Sequence, residues 1–282
     1  MILRGSIPAS LATSIVVLSS CASKPPVTTS EPQPPSQPTE AVAVSPPPTV
    51  TPQETPTPPP APAVATAVLT ELFPSVRADI TGRLIELDGI VPINCHDPAT
   101  PDVYLELMVC SPDTREHESL VMTRAKPSHL HAALLAIGLK PGQPGSWKVE
   151  AGKLVPLPPT GDPLAITASY RATDGSEVTC PIADWVITAG THQPFVPRDA
   201  FAPRWLFAGS VFVTRRGNEV YDADGAGTVI GLTTFGSEVV AWRDTISPEA
   251  SIDTPDWIAD AKKVPPAGTP VIVRIRPVTA SP

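Results

Sequence analysis

Proline dominates residues 24 to 65 and sets the first limit on what this chain can build. Pro25-Pro26, Pro34-Pro35, Pro46-Pro47-Pro48 and Pro58-Pro59-Pro60 stand there among Thr, Ser, Gln, Val and Glu, and hold a large share of the chain's 39 prolines. Each proline removes a backbone donor and fixes φ, so the segment forms neither a helix nor a central strand. An extended, disordered linker near polyproline II is expected over residues 21–67. Roughly 40 residues at about 3.1 Å each reach on the order of 120 Å in the extended limit. Such a segment reads as a semi-stiff tether, with a ligand for a proline-binding module as the alternative.

What precedes the tether supplies an address. Arg4 is a positive start, Ala9 to Leu18 a short apolar run, and Leu18-Ser19-Ser20-Cys21 an aliphatic residue, two small ones and a cysteine. The run is too short to span about 30 Å of hydrocarbon, so it reads as a signal peptide over residues 1–20 and not as a membrane helix. A cysteine at its exit reads as a bacterial lipobox, with lipidation at Cys21. An ordinary signal peptide with an incidental Cys21 is the alternative. Two or more acyl chains anchor stably where one hardly does. The expected location is therefore the cell membrane. Ala22 and Ser23, in place of an aspartate, resemble the sorting pattern for the periplasmic face of an outer membrane.

Residues 68–282 remain for a globular part, enough for one sizeable core or for two small ones divided near Pro158-Pro159. The net charge of −8 disfavours a nucleic-acid partner, because no basic stripe is present to neutralise phosphates. There is no Walker loop, GxGxxG, HExxH or fixed-period repeat. Alternation predicts strands at 83–89 and 103–110, a hairpin of 166–171 with 177–182 about Asp174-Gly175, and strands at 205–214, 219–221, 228–233 and 271–275. Lys126 to Gly138 predicts a helix, with Pro127 in its first turn, Gly138 as its cap and Leu130, Ala133, Leu134 and Ile137 on one stripe. A second short helix is expected from Thr254-Pro255 through Trp257 to Ala261. The fold class is α+β, mainly antiparallel β structure with few helices.

Three pieces carry a family resemblance: Cys110 to Leu120, with Glu116-His117-Glu118-Ser119; Ala125 to Leu134, with Lys126-Pro127-Ser128 and His131-Ala132-Ala133-Leu134; and Gly138-Leu139-Lys140-Pro141-Gly142. They resemble the YdjY domain, a family of exported proteins frequent in planctomycete-type bacteria, many of them lipoproteins. The similarity extends more weakly through 159–163, 207–212 and 265–271, covering most of the chain after the linker. These pieces label the family; they are not a catalytic motif. Some relatives are described as ferredoxin-like. With Cys21 lipidated, only Cys95, Cys110 and Cys180 remain, too few for a four-thiolate cluster. Three cysteines also leave one over, so one disulfide or none is expected.

Candidate ligand-binding residues cluster around the same pieces. Cys110, His117, Glu118 and His131 form one set, for a metal or a redox site, with Glu116 and His129 nearby. At 100° per residue His129 and His131 lie about 200° apart, so both face one metal only if the first helical turn unwinds. The bland alternative has His131 satisfying a buried backbone group and Glu118 accepting the free amides of the helix start. Ser119 or Cys110 as a nucleophile lacks any motif that fixes its geometry. His96 and His192 read as solvated. No catalytic residue or cofactor is assigned, and an enzyme is not the favoured class. Two functions stand: a non-enzymatic binding module with an envelope protein partner, or a metal-binding or redox protein.

Overall fold

Short alternating segments separated by glycine and proline turns fold here into a sheet that closes on itself. The computed structural model describes residues 68–99, 102–195, 203–249, 251–253 and 256–278. The expected signal peptide, lipidation site and tether lie outside these residues.

In chain order, β1 (Thr70–Phe73), β2 (Val76–Asp79) and β3 (Leu84–Ile90) run as a meander. β4 (Leu107–Cys110) and β5 (Ser119–Thr123) flank a 3-10 turn at Glu116–Glu118, and α1 (Pro127–Ala136) follows. β6 (Ser146–Glu150) and β7 (Lys153–Leu157) make a separate hairpin, and β8 (Pro163–Arg171) and β9 (Glu177–Pro181) a second one. A further 3-10 turn leads into β10 (Val186–Thr188) and, later, β11 (Trp205–Phe207). β12 (Phe212–Arg215), β13 (Asn218–Tyr221), α2 (Asp222–Ala226) and β14 (Thr228–Gly231) follow. β15 (Val240–Trp242), β16 (Trp257–Ala259) and β17 (Pro270–Pro277) complete the described chain.

The main sheet runs β1-β2-β3-β17-β8-β11-β15-β14-β4-β5, with β9 on β8. Its last strand returns to β3, pairing Gly89 with Thr123 and Ile90 with Met122. The ring β3-β17-β8-β11-β15-β14-β4-β5 is thereby closed in the manner of a barrel. Most pairings are antiparallel, but β4 with β5 and β14 with β15 run parallel. Ile85, Ile275 and Ile166 lie in register across β3, β17 and β8, followed by Leu87, Val273 and Ala168. All six are buried. β4, β14 and β15 are buried along their whole length, as strands covered on both faces should be. α1 covers part of the ring, packing against β2, β14 and α2.

The predicted stripe of α1 is buried: Leu130, Ala133, Leu134 and Ile137 are at most 3% exposed. Gly138 caps the helix at φ 80°, its amide donating to Leu135 O. One continuous core extends from Val76 to Ile275, on both sides of Pro158-Pro159. No helix among the described residues is long and apolar enough to cross a membrane.

Three sequence expectations change. Trp257–Ala259 is a strand and not a helix, because it pairs with β10 and its Ile258 bridges Tyr104. Tertiary pairing there outweighs the local cap signal. The strand expected over 205–214 breaks at Ala208-Gly209-Ser210, where Gly209 and Ser210 take positive φ. Between the strands expected at 219–221 and 228–233, where no helix is expected, the chain forms α2, whose single turn is too short to show a helical period.

Gly89 sits where the ring closes. A Cβ there would press into Val121 Cγ1 and reach 3.0 Å from Met122 O. Gly89→Ala is expected to cost about 1–3 kcal/mol by overpacking, read from urea unfolding. Gly89→Ala with Val121→Ala should cost less than the two single changes added together, since the contact responsible is gone.

Candidate functional site

The segment after β4 is wound tightly by its own polar groups. Ser111 N donates to Gly227 O, Thr114 Oγ1 to Ser111 O at 2.6 Å, and Ser119 Oγ to Arg115 O at 2.7 Å. The Glu116 carboxylate accepts from the amides of Asp113 and Thr114. Glu116 is therefore spent holding the loop. The 3-10 turn then sends Arg115 and Glu118 to one side, towards Glu106 at the entry to β4.

Arg115 Nη1 donates to Glu118 Oε1 at 2.8 Å and to Glu106 Oε2 at 3.1 Å. Its guanidinium also lies 4.3 Å from the ring centre of Phe235, a cation–π contact that fixes its plane. These three charged groups open onto a cavity of about 420 Å³ lined also by Asp113, Thr114, His117, Gly225 and Ala226. Burial pushes the Glu106 carboxyl up to about 7, helped by the adjacent Glu118, while Arg115 pulls the other way. His117 is exposed on the rim, its Nε2 3.7 Å from Glu118 Oε2.

His131 lies elsewhere. From α1 its Nδ1 reaches Gly209 O at 3.0 Å and Tyr221 Oη at 2.8 Å, and Tyr221 Oη itself donates to Gly209 O at 2.9 Å. Phe207 and Tyr221 meet the imidazole edge-on. Burial holds His131 below the ordinary histidine value and Tyr221 above that of a free phenol. The imidazole thus serves the backbone carbonyl of the bend between β11 and β12. Helix α1 is capped by Asp224, which accepts from Ser128 N at 2.8 Å and Ser128 Oγ at 2.7 Å, and not by Glu118.

Cys110 is fully buried beneath this loop, and burial pushes its thiol up, against hydrogen bonding from Ser119. Cys95, Cys110 and Cys180 are all free thiols. His129 stacks on Phe73 at 4.4 Å, and His96 and His192 are exposed. Among the described residues no three His, Cys, Asp or Glu side chains are grouped to hold a metal ion. Of the four residues named from sequence, the structure brings His117 and Glu118 together at the cleft and places Cys110 under its floor and His131 beside Tyr221.

Sequence reasoning passed over Glu106, Arg115, Tyr221 and Glu238. Glu106 was visible only as one polar position in an alternating run. Glu238 is 0% exposed. Its Oε1 accepts from the amides of Phe235 and Gly236, while Oε2 finds no hydrogen-bond partner among the described residues. Burial pushes this carboxyl up to about 7.

In comparisons with known proteins, the family model described as the YdjY domain matches residues 76–276. No curated protein and no solved structure matches.

A carboxyl whose value is raised on folding keeps its proton in the native chain after the unfolded chain has lost it. Stability from this source is then full below about 4.5 and falls as pH rises towards about 7. The neutral imidazole of His131 acts in the opposite sense, losing stability below its unfolded value. Glu238→Gln should isolate the first effect. Between pH 4.5 and 7 its unfolding free energy should decline less steeply than that of the parent, by up to about 1.4 kcal/mol per pH unit. Parallel curves from urea titrations would mean that Glu238 ionises normally.

Proposed function

Because the chain belongs to the YdjY domain family, we propose that it is a membrane-anchored lipoprotein whose barrel serves as a non-enzymatic binding module in the cell envelope. The anchor in this reading is lipid on Cys21, at the periplasmic face of an outer membrane, and the Pro-rich segment is the tether. The observation that supports binding is the cleft itself. Glu106, Arg115 and Glu118 are held there in fixed geometry at an open surface, whereas Cys110 and His131 are already engaged inside the fold. A guanidinium with both carboxylates pinned beside it offers a partner alternating charge at defined positions. That is recognition chemistry, and it needs no nucleophile or cofactor.

Two experiments test the two halves. In membranes of the native host, the peptide beginning at Cys21 should carry acyl mass by mass spectrometry, and Cys21→Ser should abolish that species and move the protein out of the detergent phase. An unmodified amino-terminal peptide in the parent would remove the anchor. For the cleft, Arg115→Ala should suppress crosslinking of the full chain to its envelope partner in cells. Because the ion pairs are partly exposed, stability should change by only about 1 kcal/mol. Crosslinking that survives Arg115→Ala would place the partner elsewhere.

A further inference from the structure

Glu106 and Glu118 are separated by β4 and the loop after it, yet the backbone fixes them side by side. Glu106 N donates to Glu118 O at 3.0 Å, while Glu106 O accepts from Leu232 N at 2.9 Å and Thr233 N at 3.0 Å. The fold thus makes neighbours of two residues of like charge, an arrangement that costs stability when nothing offsets it. Their carboxyl oxygens meet on one nitrogen, Arg115 Nη1, and the two side chains are only 19% and 18% exposed.

One guanidinium offsets one carboxylate and leaves the other beside a like charge, away from most of the solvent. Carboxyls placed in this way resist ionising together, and the pair retains a proton that neither would keep alone. Burial and the adjacent Glu118 push Glu106 upward, against Arg115, in keeping with that geometry. The surroundings offer little further compensation. Glu116 is turned to the amides of Asp113 and Thr114, and Asp113 itself lines the cavity as another carboxylate. His117 Nε2 lies 3.7 Å from Glu118 Oε2, on the exposed rim. α2 lines the cavity with Gly225 and Ala226, its Asp224 being bonded to Ser128, and the turn after β14 supplies the Phe235 ring.

We propose that Glu106 and Glu118 hold one proton between them, and that its release to solvent through the open cavity switches these groups and Arg115 from net neutral to net negative. The released form is the one that carries alternating charge at defined positions. A partner that reads those charges therefore binds more tightly as pH rises through the release, and by linkage its binding expels the proton. That regulation rests on the reading of the cleft as a binding surface; the shared proton rests on the geometry of the pair.

The test is a carboxyl titration of the full chain by nuclear magnetic resonance, with glutamate labelled by carbon-13 at Cδ and the Glu106 and Glu118 signals assigned through their own amides. Each signal should show two steps, one in the ordinary acid range and one nearer neutrality, as coupled sites do. Glu118→Gln should leave Glu106 a single step with a midpoint lower by about one pH unit or more, while the circular dichroism spectrum stays that of the parent. Two carboxyls that both titrate in the ordinary range overturn the proposal, and so does a Glu106 midpoint that Glu118→Gln leaves in place. For the regulation, crosslinking of the full chain to its envelope partner in cells should rise between about pH 6 and pH 8 in the parent and stay level in Glu106→Gln. A level parent yield overturns it. Crosslinking that survives Arg115→Ala removes the cleft as a binding surface and leaves the titration standing, so the two failures are told apart.

Discussion

Everything in the barrel depends on β3 serving three neighbours at once. Its first half pairs with β2, its second half with β5 at Gly89 and Ile90, and its opposite edge with β17 along the strand. Backbones approach closely at Gly89, where a side chain would meet Val121 and the carbonyl of Met122. Glycine there gives up side-chain packing in exchange for closure. Without that contact the sheet has two open edges, and the inward layers of Ile85, Leu87, Val273 and Ile275 have no enclosed volume to fill. On its outer face the same strand carries Glu86, 4% exposed, held between Arg77 at 3.2 Å and Arg274 at 2.7 Å. A carboxylate so buried persists because both flanking strands bring it a guanidinium; removing one would leave a poorly compensated charge.

The segments that label the family are tied to one common stretch of the chain, residues 207–227. Ser111 bonds Gly227, Ser128 bonds Asp224, His131 bonds Gly209, and Gly142 N donates to Phe207 O at 2.9 Å. Each bond joins the first half of the domain to the stretch from the end of β11 to the start of β14. Much of the recognisable sequence is thereby accounted for by assembly, through hydrogen bonds that cross between distant segments. Glu106, at the entry to β4, and Arg115 and Glu118, in the segment after it, differ in facing an open cavity.

Legibility in the sequence followed the range of the forces. The α1 stripe, the cap at Gly138 and the hairpin at Asp174-Gly175 are local, set within a few residues, and they could be read directly. The closure at Gly89, the pairing of β4 with β14 and the strand at Trp257 depend on partners distant in the chain, which periodicity does not report. The site was half legible for the same reason. His117 and Glu118 stood out as neighbours in sequence. Arg115 acquires its meaning from Glu106, nine positions earlier, and from Phe235. That His131 serves a buried backbone group is one of its two readings from sequence; that the group is the Gly209 carbonyl, on a bend inside an expected continuous strand, depends on a contact 78 residues away.

Phe235 links the cleft to the buried turn behind it. Its ring lies under the Arg115 guanidinium, and its amide donates to the buried carboxyl of Glu238. The turn that positions the ring is therefore held from inside by a buried carboxyl, with Gly236 N as the second donor. Arg115 in turn keeps the Glu106 and Glu118 carboxyls in place from outside. Preorganisation of the cleft comes from this stack and not from the loop alone: a buried carboxyl, an aromatic ring, a guanidinium and two further carboxyl groups, each limiting the freedom of the next. A surface built in this way spends its conformational entropy during folding, so less remains to be lost when a partner arrives.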